Sequence, residues 1–393
     1  AYQQYTTPGG ERYPEAEADL RDRVQKGALI VNYVGHGGEV GWAHERFLDN
    51  STILGWTNNY RLPLFMTATC EFSRWDDPGR TSAGEYVILN PNGGGVGLMT
   101  TTRLAYSNQN FQLSNDFYDN VFKSEDGLGR PWLFGDIYRE TKRQITIAQG
   151  GQTNHRNFAL LGDPSTRLAH PRMQVTTTSV TDTLGNPVDT LKALATVRVS
   201  GIVADNNGNQ LADFNGLVIP TVFDKRVSQS TLANDGGLPY SYTVRKNIVY
   251  RGKATVTNGA FTFTFVVPKD IAYQVGPGRI SYYAESYDQN ACGYTHEPLV
   301  GATATDIAAY DTGPRIELFM NDERFVNGGI TNEDPLLLGK LFDANGINTT
   351  GNSIGHALVA VLDANTDREE VLNDYYEADL DTYQSGKGRS RYS

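Results

Sequence analysis

The first 170 residues of the chain alternate between strand-like and helical patterns of apolar positions. Continuous apolar runs that are rich in β-branched residues and bounded by glycine or polar turns are typical of buried parallel strands. Amphipathic segments before, between and after these runs predict covering helices, so this region is expected to form a parallel α/β sheet. The three runs cover residues 28–34, 62–69 and 96–102.

After residue 170 the pattern changes to short alternating strands that are separated by turn residues. This spacing predicts an immunoglobulin-like β-sandwich over residues 171–300. Residues 301–393 predict a further β-rich domain, which we expect to be incomplete because its tail has no clear last strand. The helix–strand pattern of residues 1–170 begins in mid-fold, so we expect the chain to be a fragment of something longer.

The net charge and the cysteine content limit which partners and cofactors are expected. The net charge is −11 with acidic residues spread along the chain, which argues against nucleic acid or an anionic membrane surface as the main partner. The two cysteines, Cys70 and Cys292, form neither a disulfide framework nor a CxxC metal pattern. We therefore predict no metal and no cofactor. Asp76 and Asp77 could bind a cation, but a solvated loop is the more common role for such a pair.

Chemistry is expected where the first two apolar runs end. His36 follows the first run and Cys70 follows the second. The carboxyl ends of parallel strands meet at one edge of a sheet, where ligands and reactive groups collect. An imidazole beside a thiol stabilises the thiolate and can later protonate a leaving amine. A cysteine after an apolar run is more often a small buried side chain, so the interpretation as a Cys–His dyad depends on both residues together.

An acyl-transfer site also needs donors for the oxygen that becomes negatively charged. The backbone N–H groups of Gly37 and Cys70 are the candidates for this oxyanion hole, because each follows the end of a predicted strand. The glycines around His36 would let a substrate backbone come close, because they carry no Cβ.

Four motifs resemble those of the gingipain-type cysteine peptidases. The resemblance spans most of residues 20–170 and implies that residues 1–170 are the C-terminal part of a caspase-like catalytic domain, with His36 and Cys70 as the catalytic dyad. The sheet of that family begins upstream of residue 1, so we expect its first strands, and any residue that orients the histidine, to lie outside this chain. The motifs are NYVGHGGEVGW at 32–42, TATC at 67–70, GEYVI at 84–88 and LLGDP at 160–164.

The same resemblance suggests four substrate-binding residues. Glu39 and Trp42 fit the histidine motif, although packing of Trp42 under the loop and a local acceptor role for Glu39 are the alternatives. Tyr106 and Ser107 fall where the family places residues of its substrate pocket. Ser107 stands where the arginine-specific members have an aromatic residue, so their preference for a basic side chain is not implied here.

The whole pattern of these motifs, with residues 70–78 (CEFSRWDDP) and the β-rich region that follows, resembles most the sortase members of this family that serve the type IX secretion system of Bacteroidetes. This implies an outer-membrane-associated enzyme on the cell surface that cleaves the C-terminal signal of secreted cargo proteins. It also implies transfer of the acyl group to an amine of surface lipopolysaccharide, with an outer-membrane protein of the secretion system as partner. The alternatives are a secreted endopeptidase that uses water and a non-catalytic scaffold for secretion partners.

Overall fold

The computed structural model describes residues 2–123, 130–148, 154–234, 236–305, 313–333, 335–350, 357–363 and 369–391. The chain forms two compact units. The first comprises Ala1–His170 with Ser230–Tyr240, and the second comprises Pro171–Gln229 with Ser241–Ser393. The division into three domains stays a prediction.

Helices and strands alternate along the first unit. Its strands are β1 (Tyr5–Thr7), β2 (Gly10–Arg12), β3 (Ile30–Val34), β4 (Gly37–Gly38), β5 (Gly41–Trp42), β6 (Leu48–Asp49), β7 (Leu64–Ala68), β8 (Gly97–Thr101) and β9 (Phe158–Gly162). Its α-helices are α1 (Pro14–Lys26), α2 (Asn50–Leu54), α3 (Ala83–Leu89), α4 (Ser107–Lys123) and α5 (Phe134–Ala148), and a 3-10 helix covers Asn154–Asn157.

The main sheet of the first unit contains the three strands that the apolar runs predict. Its order is β3-β7-β8-β9. Strands β3, β7 and β8 are parallel, as expected. Strand β9 runs antiparallel to β8, so the sheet is mixed.

The expectation of a buried strand holds for β7 and β8 but is wrong for β3. Every residue of β7 and β8 is buried. In β3, by contrast, Asn32 is exposed and Val34 is 43% exposed. The physical reason is that β3 is an edge strand, and among the described residues no other strand pairs with its second edge.

Helix ends follow the local signals in the sequence. Helix α1 has Pro14 at its start and ends at Gly27, whose φ of +96° places it in the left-handed region that favours glycine. The Gly27 N–H donates to the carbonyl oxygens of Arg23 and Val24 at 3.1 and 3.2 Å. At the start of α3 the Glu85 carboxylate accepts from the Ser82 N–H at 2.7 Å, as in a capping box.

Apolar side chains cover both faces of the main sheet. Successive residues of a strand point to opposite faces, and in β7 this sends Met66 to one face and Phe65 to the other. Met66 packs in a cluster with residues of α4 and α5 such as Phe117 and Ile137. Phe65 packs in a second cluster with residues of α1, α2 and α3 such as Val87. This two-sided packing fixes the sheet whose edge carries the candidate site.

The second unit is built from strands. They are β10 (Met173–Thr181), β11 (Thr190–Ala193), β12 (Thr196–Ala204), β13 (Gly216–Phe223), β14 (Val227–Ser230), β15 (Ser241–Val244), β16 (Ile248–Arg251), β17 (Ala254–Thr257), β18 (Ala260–Val266), β19 (Gly276–Pro277), β20 (Arg279–Glu285), β21 (Asn290–Thr295), β22 (Leu299–Thr303), β23 (Arg315–Met320), β24 (Leu336–Phe342), β25 (Val359–Val361), β26 (Glu369–Val371), β27 (Tyr376–Ala378) and β28 (Ser385–Arg391). A 3-10 helix covers Asn373–Tyr375.

Eight of these strands join in one sheet of order β16-β13-β17-β18-β12-β10-β21-β20, and β13 also pairs with β20. The pairing of β13 with β20 closes the sheet on itself around a core that includes Val199, Val222 and Phe265. The β-rich character of residues 171–300 agrees with the sequence pattern, while the immunoglobulin-like assignment stays a prediction. Within the described part of the chain, no helix is long and apolar enough to cross a membrane.

Candidate active site

The pairing of β3 with β7 sets the geometry of the site. The two strands are parallel and their register matches Ile30 with Leu64 and Val34 with Ala68. The Gly35 N–H continues this contact with a hydrogen bond of 3.4 Å to the Ala68 carbonyl oxygen. His36 and Cys70 each follow two residues after the last matched pair, so the two residues leave adjacent strands at the same level of the sheet.

The main chain of His36 is held from two sides while its ring lies at the surface. Its carbonyl oxygen accepts from Tyr33 Oη at 2.6 Å and from the Ala43 N–H at 2.8 Å. The imidazole lies 6.0 Å from the His44 ring, centroid to centroid. No hydrogen bond joins His36 to Cys70 within the described residues. Catalytic hydrogen bonds are often long or unformed before substrate binds, so this geometry does not remove His36 as a candidate.

Gly37 packs directly against the strand that carries the cysteine. A Cβ at this position would lie 2.5 Å from Thr69 Oγ1 and 2.9 Å from the Gly41 carbonyl oxygen. Thr69 is fully buried, and its Oγ1 has no hydrogen-bond partner in the described part of the chain. Only glycine therefore permits this approach of the histidine loop to Thr69. The oxyanion role of the Gly37 and Cys70 N–H groups stays a prediction.

The Cys70 sulfur is half-buried and contacts the loop that follows β8. Its Sγ lies 3.5 Å from the Ala105 nitrogen and 3.6 Å from the Ala105 carbonyl oxygen. A thiol can donate to that oxygen, whereas a thiolate can accept from that N–H. The next residue, Glu71, has a left-handed φ of +50° and donates its N–H to the Arg103 carbonyl oxygen at 3.2 Å. One loop thus holds both the thiol and the turn behind it.

An ion pair ties this loop to the segment after Cys70. The Arg103 guanidinium contacts both carboxylate oxygens of Asp76, at 3.0 and 2.5 Å. This two-point geometry is the strong form of the pair, and hydrogen bonding from Arg103 holds the pKa of Asp76 below its usual value. Asp76 is therefore engaged by a cationic side chain of the protein. In the described residues no group of three or more potential ligands could hold a metal ion.

Glu39 links the histidine loop to the segment after Cys70. Its carboxylate oxygens contact Arg74 and Arg80, each at 3.0 Å. Its carbonyl oxygen accepts from the Ala83 N–H at 2.7 Å. The Glu39 side chain is only 13% exposed, which corresponds to the local acceptor role that the sequence left open.

Trp42 is a packing residue of the histidine hairpin. Its side chain is 2% exposed, and its ring stacks on Tyr33 with a centroid distance of 4.4 Å. This matches the packing alternative, because the indole lies under the loop. Substrate contact by Glu39 or Trp42 stays a prediction.

Tyr106 and Ser107 follow Ala105 and are both exposed, and Ser107 is the first residue of helix α4. The Tyr106 side chain is 65% exposed, while its N–H donates to Asn154 Oδ1 at 2.9 Å. The main chain is therefore fixed and the ring is available at the rim. Substrate binding by these two residues stays a prediction.

The residues that sequence reasoning missed act through the loop after β8. Ala105 contacts the sulfur with its backbone, Arg103 binds Asp76, and Asn154 holds Tyr106. Asn154 also donates to Asn110 Oδ1 at 3.0 Å in a buried contact. A backbone amide leaves no signature in the sequence, and an ion pair across 27 residues is not visible as a motif.

Comparison with known proteins bears on the first unit. Residues 1–169 match the model of peptidase family C25, which confirms the resemblance to gingipain-type cysteine peptidases. No curated protein matches the chain.

Solved structures that are similar to the chain include the following three. Dimeric latent PorU from Porphyromonas gingivalis is 29% identical with a TM-score of 0.37, over 77% of this chain and 28% of that one. The Arg-specific cysteine proteinase gingipain R is 16% identical with a TM-score of 0.36, over 73% and 56%. The complex of Porphyromonas gingivalis RgpB pro- and mature domains is 17% identical with a TM-score of 0.36, over 73% and 57%. The chain thus spans 28% of the PorU chain and little more than half of the gingipain chains.

Proposed function

We propose that this chain contributes the catalytic dyad of a cysteine peptidase, on the premise that residues 1–169 match peptidase family C25. Cys70 is the nucleophile, and His36 is the general base and acid. The observation that carries the proposal is the register of β3 and β7, which brings both residues past the carboxyl ends of adjacent parallel strands at one level.

In the proposed reaction His36 takes the proton from the Cys70 thiol, and Sγ attacks the carbonyl carbon of the scissile peptide bond. The carbonyl electrons move to oxygen, where the N–H groups of Gly37 and Cys70 stabilise the negative charge. When the tetrahedral intermediate collapses, the C–N bond breaks and His36 protonates the leaving amine. The acyl group remains on Cys70 as a thioester.

A peptidase and a sortase differ in the molecule that attacks the thioester and accepts the acyl group. Attack of water on the thioester gives a free acid, whereas attack of an amine gives a new amide bond. Both reactions regenerate the Cys70 thiol. We propose the amine route, because the motifs of residues 20–170, the segment 70–78 and the β-rich region that follows them together resemble PorU, the surface sortase of the type IX secretion system. On this proposal the enzyme sits on the outer surface of the outer membrane with a partner protein of that system. It removes the C-terminal signal of cargo proteins and transfers them to lipopolysaccharide.

The test uses the full-length protein that contains this chain, a peptide spanning a cargo signal junction, and a small amine. Mass spectrometry of the new carboxyl end should show the amine adduct well above the uncatalysed background. The free acid alone, over a wide range of amine concentrations, would establish the peptidase alternative. Cys70→Ala should abolish both products, while Cys292→Ala is the matched control because Cys292 is an exposed free thiol in the second unit. Cleavage by the Cys70→Ala protein would contradict the proposed mechanism.

A further inference from the structure

Three arginine side chains gather at one end of the second unit. Arg226 precedes β14 and Arg245 follows β15, so both lie at the open base of the hairpin that these two strands form. Arg279 begins β20 and is matched with Phe223 at the end of β13, three residues before Arg226. The cluster therefore combines residues from the hairpin base and from the closed sheet.

Two aromatic residues of the neighbouring strand complete the cluster. The Arg279 guanidinium lies 4.6 Å from the centroid of the Tyr294 ring. Arg245 Nη1 lies 3.4 Å from His296 Nδ1, and the rings of Tyr294 and His296 are 5.3 Å apart. A guanidinium stacked on an aromatic face keeps its N–H groups pointing outward in the guanidinium plane. The terminal N–H groups of Arg279 can therefore donate hydrogen bonds to a ligand.

Within the described part of the chain, the arginines of this cluster have no carboxylate partner. Among the described residues no ion pair involves Arg226, Arg245 or Arg279, and the Nε atoms of Arg245 and Arg279 are buried without a hydrogen-bond partner. Burial, together with the charges of Arg226 and Arg279, lowers the pKa of Arg245. Like charges held together cost stability, and a buried donor without an acceptor costs more. The arrangement stands out in a chain with a net charge of −11.

We infer that Arg226, Arg245 and Arg279, with His296, form a binding site for a phosphate group. Guanidinium groups bind phosphate through paired N–H···O bonds, and a bound phosphate would neutralise the cluster and accept hydrogen bonds from the terminal Nη groups of the arginines. The phosphate can be carried by a sugar or by a lipid headgroup, which share this chemistry. The site lies in the second unit, so it is independent of the Cys–His chemistry proposed above.

The test is calorimetric titration of the full chain with glucose 1-phosphate, inorganic phosphate and phosphatidylcholine vesicles with or without phosphatidic acid. The expected result is saturable binding of at least one phosphate probe that is about tenfold weaker in Arg245→Gln and in Arg279→Gln. Arg198→Gln is the matched control, since Arg198 is an exposed arginine of β12 outside the cluster. Arg226→Gln is a third variant. Arg226 is exposed, so its replacement should leave the fold intact.

Each outcome decides the inference. Preference for glucose 1-phosphate identifies a sugar phosphate, and binding only to vesicles with phosphatidic acid identifies a lipid headgroup. Both support the site if the cluster variants weaken binding and Arg198→Gln does not. No binding of any probe, or equal weakening by Arg198→Gln, overturns it. Unchanged phosphate binding by Cys70→Ala would show that the two sites are separate.

Discussion

The backbone N–H of Ala105 faces the sulfur of Cys70 at 3.5 Å, although the two residues are 35 positions apart. The carbonyl oxygen of the same residue lies 3.6 Å from the sulfur. A protonated thiol can donate to the oxygen, whereas an ionised thiolate gains the N–H and has an unfavourable contact with the oxygen. The position of the loop after β8 therefore affects how readily Cys70 ionises.

Arg103→Ala should change the reactivity of Cys70, because the ion pair with Asp76 holds the loop that carries Ala105. We expect the rate of iodoacetamide labelling near neutral pH to change several-fold. Arg103→Lys should restore it only in part, since lysine cannot form the two-point contact. Arg139→Ala is the control, because it removes an exposed pair with Asp136 in α5. An unchanged labelling profile in Arg103→Ala would rule out the positioning role.

The direction of the pKa shift of Asp76 sets the pH range in which Arg103→Ala should be labelled. Hydrogen bonding from Arg103 lowers the pKa of Asp76 in the folded state. The stabilisation is therefore fully present above the ordinary carboxyl value of about 3.9 and is lost only as pH falls through the lower folded value. Labelling between about pH 5 and pH 9 should show no step from this pair.

His36→Ala should slow alkylation of Cys70 at neutral pH. An imidazolium beside a thiol raises the fraction of thiolate, and its loss removes that effect. The measurement is the rate of iodoacetamide labelling of Cys70 against pH. His44→Ala is the comparison, because its exposed ring lies 6.0 Å from the His36 ring. Identical profiles for wild type and His36→Ala would show that the two residues are not coupled.

Gly37→Ala should destabilise the first unit and reduce activity. The new Cβ would come within 2.5 Å of Thr69 Oγ1 and 2.9 Å of a backbone oxygen, and overpacking of this kind typically costs about 1–3 kcal/mol. Gly38→Ala is a close control, since a Cβ there meets nothing within 4 Å. Thermal and denaturant unfolding should separate the two variants. Equal stability of both would contradict the tight contact between the histidine loop and Thr69.

Tyr33→Phe tests the anchor of His36. Burial, and secondarily the charge of Glu45, raise the pKa of Tyr33 to about 12, so its hydroxyl stays protonated and donates to the His36 carbonyl oxygen at 2.6 Å. We expect a loss of about 1 kcal/mol at pH 8. The folded-state pKa is raised, so the wild-type advantage is full below about pH 10 and disappears as pH rises through about 12. Denaturant unfolding against pH measures it, with Tyr60→Phe, 98% exposed, as control.

Local signals in the sequence determined most of the framework around the site. The apolar runs located β3, β7 and β8, and Gly27 located the end of α1. His36 and Cys70 leave the sheet at the same level because β3 and β7 are parallel neighbours whose last residues are matched. The sequence places each residue just after its strand, so this level follows once the two strands are paired in that register. These features depend on side-chain period and turn chemistry, which act over a few residues.

Only the tertiary structure decided what surrounds those two residues. The contact of Ala105 with Cys70 depends on which loop follows the neighbouring strand, and a backbone N–H has no residue type that marks it. The burial of Trp42 and the exposure of Val34 depend on which surfaces meet, since both are apolar residues in similar local patterns. An apolar residue gains by burial only where the fold supplies a partner surface. Local patterns therefore located β3, β7 and β8, whereas long-range packing chose the neighbours of the candidate dyad.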